Sequence, residues 1–438
     1  MSIIYALATP PAQSAICVFR VSGEGCLDAL SKLFNSELLE PRYFYKTEMS
    51  NNGAFVDSVA VVFFKGPKSF TGEDSFEVYA HGGLAVMSKI VEVFDAIGFE
   101  EAQPGEFSKR AFLNNKISLS QAEAVSDLIS ASSKEEASRI SLVLSGDFES
   151  RVFDFSGQLD ALRVLVEGEI DFTDEDEIFI QNLAGLEADV SRLSAEFCSF
   201  TGACSSRKDG FNKPRVLIAG PPNSGKSSLF NSLLSRDRSI VSSIAGTTRD
   251  LIDSELVLQN IVLTLADSAG VRDTDDLIEG AGINISFDEI KKSDLVILVF
   301  DEETKSSVSF FRELLGEQKH LLIYNKIDVS DKRPLGFDLF VSAKEMDGLN
   351  ALRKILDERL SVDESEDLTY LVRERHINIF SEVSSRLDFV SSSIEANESL
   401  DVVAENLKAC RDLLAEVVGI KTSDELLGEI FSSFCIGK

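Results

Sequence analysis

The sequence predicts a mixed fold: an N-terminal α/β domain, an all-α domain made from two separated stretches, and a second α/β domain inserted between those stretches. Five of the nine prolines lie at or before Pro104, and the next one is Pro214. Apolar residues recur at helical three- and four-residue steps in 118–210 and again in 370–430. Between these stretches, 213–360 alternates short apolar runs with helical patterns, which is typical of a parallel sheet.

Domain boundaries follow from these changes of pattern. The N-terminal α/β domain is predicted at 1–117, where apolar runs alternate with helical patterns near 26–34 and 84–97. Its predicted strands are AICVFRV (15–21), VDSVAVVFF (56–64) and SFEVYA (75–80). We predict the first helical part at 118–212, the inserted domain at 213–362 and the second helical part at 363–438.

The balance of charge limits the partners that the surface can bind. The chain has 43 basic and 73 acidic residues, a net charge of −30. Such a surface repels nucleic-acid phosphates, so an RNA partner requires a local basic patch or a second protein. No apolar run approaches the ~18 residues of a membrane span, no secretory signal is evident, and the six cysteines form no CxxC motif. We therefore expect a cytoplasmic protein.

A phosphate-binding loop follows the first predicted strand of the inserted domain. RVLIAG (215–220) leads into GPPNSGKS (220–227), which matches the G-x4-G-K-[ST] pattern. Glycines let such a loop turn its N–H groups towards phosphate oxygens, the lysine contributes positive charge, and the final hydroxyl can bind Mg²⁺. The predicted nucleotide contacts here are Asn223, Ser224, Gly225, Lys226, Ser227 and Ser228.

Two switch-type motifs follow in the order that a nucleotide-binding domain requires. Thr248 of GTTRD (246–250) can close on Mg²⁺ and the γ-phosphate, and DSAG (267–270) comes directly after a predicted strand. The predicted Mg²⁺ ligands are Ser227 and Thr248. The predicted nucleotide contacts in these loops are Ser242, Ser243, Ile244, Ala245, Gly246, Thr247, Thr248, Asp267, Ser268, Ala269 and Gly270.

The last two motifs select the base. NKID (325–328) follows the predicted strand HLLIY (320–324), and Asp328 can accept hydrogen bonds from the N1–H and the N2 amine of guanine. Adenine offers neither donor there, so an unpaired carboxylate would disfavour ATP. SAK (342–344) can donate backbone N–H groups to guanine O6. We therefore predict GTP, bound at Asn325, Lys326, Asp328, Ser342, Ala343 and Lys344.

The hydrolytic group is not evident from these motifs. Val271 stands after DSAG, where Ras-like proteins keep a glutamine that orients water, and a valine cannot do this. Acidic candidates follow within VRDTDDLIEGAGI (271–283), and most of them are expected to be solvated side chains of a switch loop. These candidates are Asp273, Asp275, Asp276 and Glu279.

The whole chain resembles the MnmE family of tRNA modification GTPases, also called TrmE. The matching stretches are ATPP (8–11), FRVSG (19–23), SFTGEDSFEVYAHGG (69–83), PGEFSKRAFLNNKISLSQAEAVSDLISA (104–131), EIDF (169–172), GPPNSGKSSLFN (220–231), IAGTTRD (244–250), DSAGVRDTDD (267–276) and DELLGEIFSSFCIGK (424–438). The resemblance implies an N-terminal domain related to tetrahydrofolate-binding proteins, a helical domain from both flanks, and an inserted Ras-like G domain with a mostly parallel sheet.

The resemblance also implies particular site residues. Members form homodimers through the N-terminal domain, their G domains pair during hydrolysis, and K⁺ takes the place of an arginine finger. The catalytic glutamate falls on Glu279, which would orient the attacking water. The implied K⁺ ligands are Asn223, Ser242, Ile244 and Thr247, and the implied folate-binding residues are Arg20, Glu77, Lys116 and Lys438.

A reaction and a partner are implied as well. Family members act with a flavin- and NADH-dependent partner, MnmG (GidA), in a heterotetramer or larger assembly that binds tRNA. Together they build a carboxymethylaminomethyl or aminomethyl group on C5 of the wobble uridine in certain tRNAs. A tetrahydrofolate derivative, of the 5-formyl or 5,10-methylene class, supplies the carbon. No membrane is involved.

Two questions stay open at this point. A ribosome-assembly GTPase shares the G-domain motifs, although such proteins usually carry a basic RNA-binding module. Cys435, four residues from the end, could be a prenylation site on a membrane-recruited switch, a metal ligand, a nucleophile or an incidental thiol. Gly437 and Lys438 make a poor prenylation box and metal partners are lacking nearby. A nucleophile or an incidental thiol therefore remains.

Overall fold

The computed structural model divides the chain into two units. It describes residues 2–34, 40–51, 53–171, 176–207, 213–235, 253–267, 287–330, 332–360, 369–396, 398–421, 423–434 and 437. The first unit comprises Met1–Ile129, Arg139–Arg207 and Leu368–Lys438, and the second, here called the inserted unit, comprises Ser130–Ser138 and Lys208–Asp367. The four domain ranges predicted from the sequence stay a prediction.

The N-terminal part of the first unit is a six-stranded mixed sheet. Its elements are β1 (Ile4–Leu7), β2 (Ile16–Ser22), α1 (Leu30–Leu33), β3 (Tyr45–Asn51), β4 (Ala54–Phe64), β5 (Ser75–His81), α2 (Leu84–Ala96), β6 (Glu100–Glu101) and α3 (Glu106–Leu113). The strand order is β3-β4-β5-β2-β1-β6, and only the β1–β6 pair is parallel. The three predicted strands are confirmed as β2, β4 and β5.

Alternation along the strands gives this sheet two different faces. In β5, Phe76, Val78 and Ala80 are buried and pack in one core with residues of α2. Since successive side chains of a strand point to opposite faces, Glu77 and Tyr79 lie on the other face. The helices therefore cover one face, and the polar residues of β2 and β5 stand on the other.

The first helical part follows directly. Its elements are α4 (Leu119–Ile129), α5 (Lys134–Leu144), α6 (Asp147–Asp171), α7 (Asp176–Gly202) and the short strand β7 (Cys204–Arg207). The two long helices, α6 and α7, pack against each other. Within the described residues, no helix is long and apolar enough to cross a membrane.

The inserted unit is built on a second six-stranded sheet. Its elements are β8 (Arg215–Ala219), α8 (Lys226–Ser235), β9 (Asp253–Val257), β10 (Val262–Asp267), α9 (Phe287–Lys291), β11 (Leu295–Phe300), α10 (Val308–Leu315), β12 (His320–Tyr324), β13 (Leu339–Phe340) and α11 (Leu349–Leu360). In the order β13-β12-β11-β8-β10-β9, only the β9–β10 pair is antiparallel. Every residue of β11 is buried, as expected for a strand covered on both faces. The predicted mostly parallel sheet is confirmed.

A segment from the helical stretch belongs to the inserted unit. Ser132 O accepts a hydrogen bond from Val262 N at 2.6 Å, and Lys134 N donates to Asn260 O at 3.1 Å. These backbone bonds attach Ser130–Ser138 to the turn between β9 and β10. The contact is made by main-chain groups, which leave no side-chain pattern in the sequence.

The second helical part completes the first unit. Its elements are β14 (Tyr370–Arg373), α12 (Glu374–Glu395), α13 (Leu400–Val418) and α14 (Asp424–Ser432). β14 pairs in parallel with β7, from Tyr370 opposite Cys204 to Arg373 opposite Arg207. Because α12 packs on α7 and α13 on α6, the two chain segments share one core. The predicted helical domain made from two segments is confirmed.

A buried ionic cluster also joins the two helical parts. The Arg375 Nη2 atom lies 2.6 Å from Glu123 Oε2, and His376 Nε2 lies 3.3 Å from the same oxygen. Burial alone would raise the pKa of Glu123, but hydrogen bonds from His376 and Arg375, with the charge of Arg375, outweigh it and lower the pKa to about 2. Burial also lowers the pKa of His376. Glu123 is therefore the ionised centre of this cluster.

Candidate functional site

The phosphate-binding loop lies between β8 and α8, at the carboxyl end of the parallel strands. Gly220 adopts a φ of +142°, and a side chain there would collide with the backbone of Val299. Gly225 has a φ of +95° and sits against the Asn325 side chain, which likewise leaves no room for a Cβ atom. Both glycines are thus required by the turn that precedes the helix.

The charged and metal-facing groups of the loop are held by protein partners. Lys226 Nζ donates to Pro221 O at 2.7 Å, and burial lowers the pKa of this lysine while nearby Asp267 acts in the opposite direction. Ser227 Oγ donates to Asp267 Oδ2 at 3.0 Å. β8 and β10 are parallel neighbours, so their carboxyl ends bring these two oxygens together. A hydroxyl and a carboxylate at this distance are oxygen ligands suited to Mg²⁺.

The NKID segment is tied to the phosphate loop. Asn325 Nδ2 donates to Ser224 O at 3.0 Å, and Asn325 Oδ1 accepts from Ala343 N at 3.1 Å. Lys326 Nζ donates to Asn223 O at 2.7 Å and to Asp301 Oδ2 at 2.6 Å. This amide and this ammonium group therefore join three loops around the place where a base would lie.

Asp328 lies on the exposed side of the NKID segment, beside the SAK segment. Its carboxylate accepts a hydrogen bond from Ser342 Oγ at 2.6 Å, and that bond, the largest cause, lowers the pKa of Asp328. The side chain is exposed while Ser342 is buried. An ionised, accessible carboxylate anchored on one oxygen keeps the other free to accept donors from a base.

A second site is a cavity of about 400 Å³ on the polar face of the N-terminal sheet. Arg20 Nε and Glu77 Oε1 are paired at 2.9 Å across β2 and β5, and Tyr79 Oη donates to Glu77 Oε2 at 2.6 Å. The aromatic residues Phe64, Phe70 and Phe107 also line the cavity. The arrangement suits a flat ligand with a hydrogen-bonding edge.

One buried hydroxyl in this cavity lacks a partner. Ser108, on α3, has 0% exposure, and its Oγ atom makes no hydrogen bond to any described residue. The neighbouring network is satisfied by contrast, since Ser22 Oγ donates to Glu73 Oε2 at 2.9 Å and lies 2.7 Å from Thr71 Oγ1. An unpaired buried hydroxyl facing a cavity is a group that a ligand can satisfy.

Comparison with known proteins decides the family. One family model, "GTP-binding protein TrmE N-terminus", matches residues 3–116, and another, "MnmE helical domain", matches residues 119–435. The tRNA modification GTPase MnmE of Legionella pneumophila (strain Corby) is 37% identical over 446 residues, 99% of each chain. That of Francisella philomiragia subsp. philomiragia is 33% identical over 447 residues, again 99% of each chain. The chain belongs to the MnmE family of tRNA modification GTPases.

The predicted family, fold class and enzyme class are therefore confirmed, and the chain is a GTP-binding tRNA modification GTPase with a G domain. Among solved structures, the G domain of the T. maritima FeoB iron transporter is 26% identical, with a TM-score of 0.26, over 34% of this chain and 99% of that one. A TM-score of 0.26 is too low to support a conclusion about the structure of this chain.

Several predicted site residues of this MnmE-family chain lie outside the described residues and stay predictions. They are Ser242, Ser243, Ile244, Ala245, Gly246, Thr247, Thr248, Ser268, Ala269, Gly270, Glu279, Cys435 and Lys438. Within the described residues, Ser228 is exposed on the first turn of α8 and Lys344 is exposed beside Glu345, 3.8 Å away. Neither placement shows whether the side chain contacts the nucleotide.

The four implied folate-binding residues have different placements. Arg20 and Glu77 line the cavity, whereas Lys116 Nζ donates to Pro67 O at 2.9 Å and is not among the lining residues. The C-terminal tail reaches the same sheet, because Gly437 packs against Leu7 O, one residue from Ala6, the strand partner of Arg20.

Two important groups were not predicted from the sequence. Asp301 accepts a hydrogen bond from Lys326 and is buried directly after β11. The sequence feature that could have identified it is an acidic residue immediately after a fully apolar strand. Ser108 gave no local signal, since a serine inside a helical pattern is unremarkable until its surroundings are known. The surroundings of both residues come from segments distant in the sequence.

Proposed function

We propose that this chain hydrolyses GTP to drive modification of the wobble uridine of certain tRNAs, using a tetrahydrofolate one-carbon donor bound in the N-terminal cavity. The observation that supports this best is the cavity itself, where the Arg20–Glu77 pair stands among aromatic rings. The Glu77 carboxylate suits the donor edge of a pterin, and rings suit its flat face. The unpaired Ser108 hydroxyl adds a polar group for the same ligand.

For GTP, the roles of the chain's own residues follow from their chemistry. Asp328 selects guanine, and Lys226 would leave Pro221 O to meet the phosphates. Ser227 and Asp267, with Thr248, would hold Mg²⁺ directly or through water. When bound, that ion neutralises charge developing on the phosphate oxygens. Metal binding would replace the hydrogen bond that Ser227 Oγ donates to Asp267.

Hydrolysis in this proposal requires K⁺ and Glu279. The K⁺ ligands would be the Asn223 side chain with Ser242, Ile244 and Thr247, completed when two G domains pair. Glu279 would orient the attacking water, a role that Val271 cannot fill. GTP turnover should depend steeply on K⁺ and not on Na⁺, and equal rates in the two salts would contradict the assignment. Glu279→Ala should retain GTP affinity and lose turnover.

The proposed assembly is a homodimer through the N-terminal domain that works with an FAD- and NADH-dependent partner of the MnmG type. A net charge of −30 supports a division in which the partner carries much of the tRNA-binding surface. The deciding experiment is nucleoside analysis of tRNA from cells lacking this protein. Loss of C5-modified wobble uridines supports the proposal, and intact modification contradicts it.

A further inference from the structure

A group of cations stands beside the cavity of the N-terminal sheet. It consists of Arg42, Lys65, Lys68 and Lys116, and we call it the cationic rim. Arg42 Nη2 donates to Lys68 O at 2.5 Å, Lys116 Nζ donates to Pro67 O at 2.9 Å, and Lys68 N donates to Lys65 O at 3.1 Å. All four side chains are exposed, and Arg42 and Lys68 line the cavity.

The rim is unusual for this molecule because its charge is not balanced. Acidic residues outnumber basic ones by 73 to 43 over the whole chain. Nevertheless, none of the four rim cations forms an ion pair with a carboxylate in the part of the chain that the structure describes; the recorded side-chain acceptors are backbone carbonyls. A cluster of cations without neutralising partners attracts a ligand that carries several negative charges.

Arg42 is also held in a costly backbone conformation. Its φ is +66°, a left-handed geometry that is uncommon for a long side chain. The strain is maintained by a hydrogen bond from Arg42 N to Phe63 O at 2.8 Å and by stacking of the guanidinium 5.6 Å from the centre of the Phe64 ring. These contacts direct the guanidinium over a ring that itself lines the cavity.

The register of β4 and β5 gives the direction from Glu77 to the cationic rim. Val62 lies opposite Glu77, and Phe64 lies opposite Ser75, two residues further along β4 and β5. That step is about 7 Å, and the loop carrying Lys65 and Lys68 begins directly after Phe64. A ligand anchored at Glu77 therefore extends past the Phe64 ring and reaches the cations last.

We propose that the cationic rim binds an oligo-anionic carboxylate tail on the cavity ligand, so that this chain selects folates carrying several γ-linked glutamyl residues. This inference rests on the proposed one-carbon function. Each added glutamyl residue brings one further carboxylate to the rim. Exposed ion pairs contribute modestly, so two new pairs correspond to a gain in affinity of about tenfold at low salt. The gain should shrink as salt rises.

The test compares binding of 5-formyltetrahydrofolate with one and with three glutamyl residues to the full chain, by calorimetric titration at low and high salt. The triglutamate should bind about tenfold tighter to the unaltered protein. An Arg42→Gln, Lys68→Gln double variant should lose that gain, so that the two ligands bind with affinities within about twofold of each other. Lys89→Gln, an exposed lysine of α2 on the opposite face of the sheet, is the matched control.

The other possible results of this test distinguish failure of the rim proposal from failure of the one-carbon function. Equal affinity for the two ligands overturns the rim proposal and leaves the one-carbon function intact, since the monoglutamate still binds. No binding of either ligand overturns the one-carbon function and the rim proposal with it. If the double variant keeps the glutamate gain but weakens tRNA binding, the rim is an RNA contact and the proposal is wrong.

Discussion

The nucleotide site and the N-terminal cavity differ in the partners of the polar groups that a ligand would meet. In the nucleotide site, Lys226, Ser227 and Asp328 are already hydrogen-bonded to protein partners. In the cavity, the buried Ser108 hydroxyl has no partner among the described residues, and the Arg42 and Lys116 side chains donate to backbone carbonyls. In the phosphate loop, the buried Ser224 hydroxyl likewise has no partner among the described residues. GTP would therefore exchange the contacts of Lys226, Ser227 and Asp328, whereas a cavity ligand would satisfy the Ser108 hydroxyl without breaking a bond.

The largest expected effect concerns base selection. Asp328→Asn should weaken GTP binding by about 10³-fold or more, because the amide can no longer accept both guanine donors. The same variant should gain affinity for xanthosine triphosphate, whose C2 carbonyl accepts from the new amide. Competitive titration with the two nucleotides measures both changes. Glu345→Gln, a change at an exposed neighbour, should bind GTP within about twofold of the unaltered protein.

The second largest expected effect concerns the proposed Mg²⁺ ligand Ser227. Ser227→Ala removes the hydroxyl that would pass from Asp267 to Mg²⁺, and GTP turnover at saturating Mg²⁺ should fall by about 10²-fold. Single-turnover hydrolysis, with K⁺ present, is the measurement. Asn231→Ala, on an exposed position of the same helix, is the control. Turnover unchanged by Ser227→Ala would show that the hydroxyl is only a structural partner of Asp267.

His376 extends the comparison to a buried group that has no part in either site. Burial lowers the pKa of His376. Below about pH 6.5 the unfolded chain therefore binds a proton that the folded chain excludes. The free energy of unfolding should decrease as the pH is lowered. The loss of stability from one such group cannot exceed about 1.4 kcal/mol per pH unit. Hydrogen exchange of amides in α12 should report the loss.

His376→Phe supplies the control for that pH dependence. The ring would replace the imidazole beside Phe148, whose centre lies 5.7 Å from it, and would leave Glu123 paired with Arg375. The difference in pH dependence between the two proteins isolates the single histidine from the groups around it, which are Glu123, Arg373 and Arg375. Identical profiles would mean that the pKa of His376 is the same in the folded and unfolded chains, which would contradict the prediction.

The smallest expected effect tests whether the cavity is prepared for a ligand. Ser108→Ala should leave the ligand-free protein as stable as before, or more stable by about 1 kcal/mol, since the hydroxyl is buried without a partner. Affinity for 5-formyltetrahydrofolate should fall about fivefold. Ser120→Ala is the matched control on α4: its hydroxyl lies 3.0 Å from Ser118 Oγ, so its loss should destabilise the protein. A destabilised Ser108→Ala would contradict the comparison.

The nucleotide site was largely predictable because its chemistry is local. Gly220, Gly225 and Lys226 lie within seven consecutive residues, and Asp328 is close to Asn325. Each motif follows an apolar strand, and parallel strands bring their carboxyl ends to one edge. The distances that complete the site, such as Lys326 to Asp301, depend on strand neighbours and could not be predicted from motifs.

The cavity was only partly predictable because its residues are scattered along the chain. The family resemblance supplied Arg20 and Glu77, and both line it. It gave no indication of Ser108 or Arg42, which reach the cavity from a helix and from a separate loop. Lys116 was implied as a ligand-binding residue, and the structure places its ammonium group on the loop at Pro67.

The bound nucleotide and the elements that carry the motifs could both be predicted from consecutive residues. Periodicity and motif spacing are properties of consecutive residues, so they survive without knowledge of the fold. Two other features became evident from the fold: Ser130–Ser138 packs with the inserted unit, and an arginine and a lysine from separate loops meet at one cavity. Those outcomes depend on backbone hydrogen bonds and on packing between distant segments, for which no local pattern exists.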